Sequence, residues 1–179
     1  MLEISIPGCE YYDEAKGEFF TLRDVTLKLE HSLISLSKWE SKWCKVFLSK
    51  EDKSYEETID YIKCMTLNQN VDPLVYEHLT KENVDAINAY ISAPMTATHI
   101  NDPNKSNSRE QITSELIYYW MIAQNVPFEC QKWHLNRLLT LIRVCSIKNS
   151  PPKKMSNKEI MSRNAALNAA RRKKLNTKG

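Results

Sequence analysis

The hydrophobic period of this chain changes near His31, and that change sets the kind of fold open to it. Before it, Leu2, Ile4 and Ile6 alternate with polar neighbours until Pro7-Gly8 breaks the run, and Val25, Leu27 and Leu29 alternate again. A period of two marks a strand with one buried face. Residues 8–18 are acidic, carry Gly17 and read as a loop. Residues 1–30 are therefore expected to form a β-hairpin or small sheet. From His31 onward, Leu33, Leu36, Trp39 or Glu40, and Trp43 follow Leu29 near helical spacing. The rest of the chain is expected to be helical, making the whole a mainly α protein of α+β type.

The helices can be placed from their caps and stripes. The first covers about 31–43. Ser54-Tyr55-Glu56-Glu57 is a capping box that opens a helix to Met65, with Tyr55, Ile59, Ile62 and Met65 as its stripe. Asp72-Pro73 starts a short helix, and Thr80 caps another through Val84, Ile87 and Ile91 that stops near Pro94. Residues 95–108 lack helical periodicity and read as a linker or surface loop. Ser108-Arg109-Glu110-Gln111 is a second capping box. It predicts a helix over 109–124 with a stripe of Ile112, Leu116, Tyr119 or Trp120, and Ala123. The last core helix is expected over 129–147, along Leu135, Leu138, Leu139, Ile142 and Cys145, packed antiparallel to its predecessor. Residues 31–150 thus form a helical domain.

Pro151-Pro152 ends it, because consecutive prolines favour extended chain. Residues 151–179 carry nine Lys/Arg against one acid, a charge of +8, while residues 1–150 carry 16 against 21, a charge of −5. Ser156-Asn157-Lys158-Glu159 is a third capping box. The tail has high helix propensity but few large apolar residues, so it reads as a helix in exchange with disorder that orders on a partner. An acidic body and a basic tail point to different partners for the two parts.

Several chemistries are disfavoured. The only glycines are Gly8, Gly17 and Gly179, too few for a loop that cradles phosphates. The five cysteines are odd in number, widely spaced and without a Cys-x-x-Cys, and no secretory leader is visible, which fits reduced thiols in a cytosol. No stretch approaches the about 20 apolar residues of a membrane span. Cys130 and His134, four apart, would share a helix face as metal ligands sometimes do, but supply only two of four. Cys/His pairings for nucleophilic catalysis are too many to single one out. The expectation is a chain with no cofactor, no metal and no catalytic residues.

What remains is binding. Trp39 and Trp43, one helical turn apart, are the choice for a partly exposed aromatic surface, since aromatics dominate interface energetics. Core packing is the first reading for the tryptophans as a group, Trp39, Trp43, Trp120 and Trp133, and a binding groove is the alternative. Arg171-Arg172-Lys173-Lys174, with Arg163 upstream, is the densest charge feature. It fits an acidic protein partner or a solvated end. Nucleic acid is a lesser reading, since no aromatics interleave to stack on bases.

Two segments resemble the tail assembly chaperones of long-tailed bacteriophages and prophages. One is Leu29-Glu30-His31-Ser32-Leu33-Ile34-Ser35-Leu36-Ser37-Lys38-Trp39-Glu40-Ser41-Lys42-Trp43, and the other runs from Arg163-Asn164-Ala165-Ala166-Leu167-Asn168-Ala169-Ala170 through Arg171-Arg172-Lys173-Lys174 to Gly179. The resemblance implies a small, mainly helical protein that keeps the long, apolar tape-measure protein soluble while tail-tube subunits assemble. It implies the host cytoplasm as location and absence from the finished virion. Tape-measure protein would be the partner, with tail-tube protein and self-association as further possibilities. A structural head–tail component and a nucleic-acid-binding protein stay open as alternatives.

Overall fold

The computed structural model describes residues 1–13, 17–49, 51–100, 110–150 and 156–177. The protein is mainly α with a small antiparallel β region at its N-terminus, as the change of period predicts. Two compact units are present, Met1–Lys148 and Asn149–Gly179.

The first unit opens with four strands, β1 (Leu2–Ile6), β2 (Cys9–Asp13), β3 (Glu18–Leu22) and β4 (Val25–Leu29). β1 pairs antiparallel with β4, from Leu2 opposite Leu29 to Ile6 opposite Val25. Ile4, Ile6, Leu27 and Leu29 all point inward, the alternation seen in the sequence. Inside that pair lies a second ladder, β2 with β3, from Cys9 opposite Leu22 to Asp13 opposite Glu18. The loop expected over 8–18 is thus corrected: a strand occupies Cys9–Asp13. The acidic residues suggested a loop, but facing aromatics outweigh them, as in the Tyr12–Phe19 pair, whose ring centroids are 5.0 Å apart. Gly8 sits where the two ladders meet. A Cβ there would lie 2.5 Å from the Leu22 carbonyl oxygen, so the close approach requires glycine. Its N–H donates to Asp24 Oδ1 at 2.6 Å.

Helix α1 (Leu33–Trp43) is capped by Ser32, whose side chain accepts from the Ser35 N–H while Ser35 Oγ accepts from the Ser32 N–H. Helix α2 (Tyr55–Met65) begins with the predicted Ser54–Glu57 box. The short helix expected after Asp72 is a single 3₁₀ turn (Pro73–Tyr76), capped by Asp72. Helix α3 (Lys81–Ser92) starts at its Thr80 cap.

Helix α4 (Ser114–Ala123) starts later than the 108–111 box predicts, with Thr113 as its cap. Ser108 and Arg109 lie outside the described residues. The start is set from a distance: the buried Glu40 carboxylate of α1 accepts from the Ser114 N–H at 2.7 Å and from the Phe47 N–H at 3.0 Å. Helix α5 (Leu135–Asn149) also starts late, after a 3₁₀ turn over Phe128–Lys132. The Leu135 N–H donates to the His31 carbonyl at 2.7 Å, which pins that start to the head of α1.

Two apolar clusters form the core. One gathers β1, β4, Trp39, α2, the 3₁₀ turn at 73–76 and α3. The other gathers Leu33 and Leu36 of α1 with Ile117 and Met121 of α4, Val126, Cys130, and Leu135, Leu138 and Ile142 of α5. Helix α1 serves both, and Phe47 packs against both. Each fully buried aliphatic side chain contributes about 1.5–3 kcal/mol, so these clusters outweigh any single cap.

The second unit holds one helix, α6 (Asn157–Leu175). The Ile160 N–H bonds the Ser156 carbonyl at 3.0 Å, placing Ser156 at the predicted cap position. No helix among the described residues is long and apolar enough to cross a membrane.

Candidate interaction surfaces

The predicted aromatic surface on α1 needs correction. Trp39 is only 1% exposed and belongs to the core, with its Nε1–H donating to the Glu57 carbonyl at 2.9 Å. Trp43 lies one turn on, stacked on Trp39 at 6.1 Å between ring centroids and half-buried. Its Nε1–H donates to Asp60 Oδ2 at 3.0 Å. Two tryptophans four apart share a helix face, and here that face is turned toward α2. Trp43 walls a groove of about 400 Å³ with Tyr55, Ile59 and Tyr76. Tyr55, expected on the buried stripe of α2, is 73% exposed at its edge.

Ion pairs line this seam. Lys42 pairs with Asp60, and Lys45 Nζ lies 2.5 Å from Glu57 Oε1. Burial works to raise the Asp60 carboxyl, but hydrogen bonds from Lys42 and Trp43 outweigh it and hold the group below its ordinary range. Glu57 is held low by the Lys45 hydrogen bond and the backbone N–H of Ser54. Lys45 also lies 5.9 Å from the Trp43 ring centroid, as does Lys42, so that ring's cation-binding capacity is already used.

A buried histidine pair joins the two core clusters. The His31 and His134 rings meet edge-on with centroids 5.1 Å apart. His31 Nδ1 shares a 2.5 Å hydrogen bond with the Tyr61 hydroxyl, and His134 Nε2 donates to the Tyr90 carbonyl at 3.0 Å. His134 Nδ1 is buried with no hydrogen-bond partner. Burial, with the second imidazole nearby, lowers the His31 pKa to about 4. Burial also lowers that of His134, against the Tyr90 carbonyl and the Glu30 carboxylate. Glu30 itself accepts from the Tyr90 hydroxyl at 2.8 Å and pairs with the N-terminal amine at 3.0 Å. The pair is therefore two neutral imidazoles at neutral pH. Cys130 and His134 do not share a helix face as expected: Cys130 lies in the 3₁₀ turn and His134 just before α5. Among the described residues no group of three or more His, Cys, Asp or Glu is placed to hold a metal.

Helix α4 shows the largest departure from the expected stripe. Its buried residues are Ser114, Ile117 and Met121, while Tyr119 and Ile122 are 63% and 61% exposed. The expected Ile112, Tyr119 and Ala123 all face out, with Leu116 and Trp120 between. The helix is apolar nearly all round, so its sequence carries no polar face to set the phase.

In α6, Arg163, Arg171, Arg172, Lys173 and Lys174 are all exposed, as is every other side chain described in that helix. Consecutive residues turn about 100° around a helix, so the four bases 171–174 encircle its end instead of forming a stripe. Their charge also complements the C-terminal end of the helix dipole. Comparison with protein-family models, with curated proteins and with solved structures gives no match to this chain.

Proposed function

We propose that this protein is a tail assembly chaperone of a long-tailed bacteriophage or prophage, and that it binds the tape-measure protein and keeps it soluble during tail assembly. The reading assigns it no reaction and no cofactor, and places it in the host cytoplasm and outside the mature virion. One observation carries it. Of the two segments that resemble such chaperones, the first is largely core, through Leu33, Leu36, Trp39 and Glu40, while the second lies on the exposed helix α6. A 19-residue helix that buries none of its described side chains gains its stability on a partner. The absence of aromatics among these basic residues disfavours single-stranded nucleic acid, which is bound by base stacking, and an acidic protein surface meets their charge directly.

Co-expression with the tape-measure protein is the test. The expected result is a recoverable complex and a soluble tape-measure protein, both diminished when the chain stops before Ser156. Unchanged tape-measure solubility and no complex would overturn the reading. Mass spectrometry of purified virions should not find the protein, and its presence there would favour the structural alternative.

A further inference from the structure

We infer that the outer side of α4 is a docking face for a single amphipathic helix that carries basic residues. This does not depend on the tape-measure reading, because any partner presenting such a helix would satisfy it. A helix that is apolar nearly all round is normally covered nearly all round. In α4, Ile117 and Met121 are covered, and Tyr119 and Ile122 are not. Phe128, 52% exposed, continues the surface through Tyr118, whose ring centroid lies 6.4 Å away.

Size distinguishes the occupants. Full aromatic side chains present about 150–250 Å² each, so Tyr119, Ile122 and Phe128 leave roughly 300–400 Å² of apolar surface open. A stable interface between two copies takes about 800 Å² from each, of which roughly 450–520 Å² is apolar, more than these side chains supply. A docked helix needs only a few anchors at helical spacing. Charge gives the second constraint. From Glu110 to Gln131 the chain contains no lysine or arginine, and three glutamates: Glu110, Glu115 and Glu129. Glu115 lies one turn before Tyr119 and two before Ile122, on the same exposed stripe. Hydrogen bonds from its own N–H and from the Thr113 side chain hold its carboxyl below the ordinary range, so it is charged at neutral pH. A lysine or arginine one turn from the partner's apolar anchors would meet it. Anionic lipid would be repelled by this face.

Fluorescence anisotropy with the full chain tests this, using a labelled amphipathic peptide of leucine and lysine and its leucine–glutamate counterpart. The lysine peptide should bind, and Ile122→Glu or Tyr119→Ser should weaken it about tenfold or more without moving the thermal transition, since both positions are exposed. Glu115→Lys should also weaken it. Phe19→Ser, at an exposed position on β3, should not. Wild-type affinity of the lysine peptide for Ile122→Glu, or binding of the glutamate peptide that Ile122→Glu weakens just as much, would overturn the inference. So would a dimer in sedimentation that Ile122→Glu dissolves, or binding of anionic phospholipid vesicles that Ile122→Glu abolishes.

Discussion

Acidification should destabilise this protein well above the range where its carboxylates titrate, and His31 is the reason. Its imidazole is buried and its pKa falls from 6.5 to about 4 on folding. Between those values the unfolded chain binds a proton that the folded chain does not. Stability is therefore complete above about pH 6.5 and declines as pH falls toward 4. A tenfold difference in proton affinity between the two states corresponds to about 1.36 kcal/mol, so the interval removes about 3 kcal/mol, a large part of a typical 5–15 kcal/mol. His134, also lowered by burial, acts in the same direction. Glu57 and Asp60 are held below their ordinary values, so their contributions are lost at lower pH still. Urea unfolding at a series of pH values between 7 and 4.5 reads the slope. In His31→Gln, which has no titrating ring at that site, the slope should flatten to what His134 and the carboxylates supply. A variant curve parallel to wild type over this interval would refute the assignment.

Other substitutions probe the same framework by urea unfolding. Glu40→Ala leaves the buried Ser114 N–H without its acceptor and should cost about 1–3 kcal/mol, with α4 and the 44–47 turn losing amide-exchange protection first. Trp39→Ala should cost about 3–5 kcal/mol, and Trp43→Ala distinctly less, because only Trp39 is fully buried; equal costs would contradict that placement. Gly8→Ala puts a Cβ against the Leu22 carbonyl and should cost about 1–3 kcal/mol, visible as broadened amide resonances in both ladders.

Much of the fold was legible because it is local. Alternation at Leu2–Ile6 and Val25–Leu29 fixes one buried face whatever lies opposite, and both segments are strands as expected. Ser54–Glu57 and Thr80 begin helices because a side-chain oxygen three residues before a free N–H satisfies it without help from elsewhere. The helical part of the tail reading was legible for the same kind of reason: Ser156 stands at the start of α6, and too few large apolar residues follow it to compete for the core.

Where the expected start of a helix failed, a distant group decided. The start of α4 depends on Glu40, 74 residues away, and that of α5 on the His31 carbonyl. The ladder of β2 and β3 was missed for a local reason, since the acidic residues of 8–18 masked the facing Tyr12 and Phe19. Trp39 and Trp43 were visible as a pair, but which of them would be buried depended on where α2 lies. The seam of His31 and His134 gives no sequence signal, since the two residues are far apart in the chain. The amino-acid sequence determined the outer strand pair, the succession of helices after it and the division of charge, because periodicity and capping act over a few residues. The tertiary structure alone decided which side of α4 stays open and which polar groups lie inside, because those outcomes depend on what packs opposite.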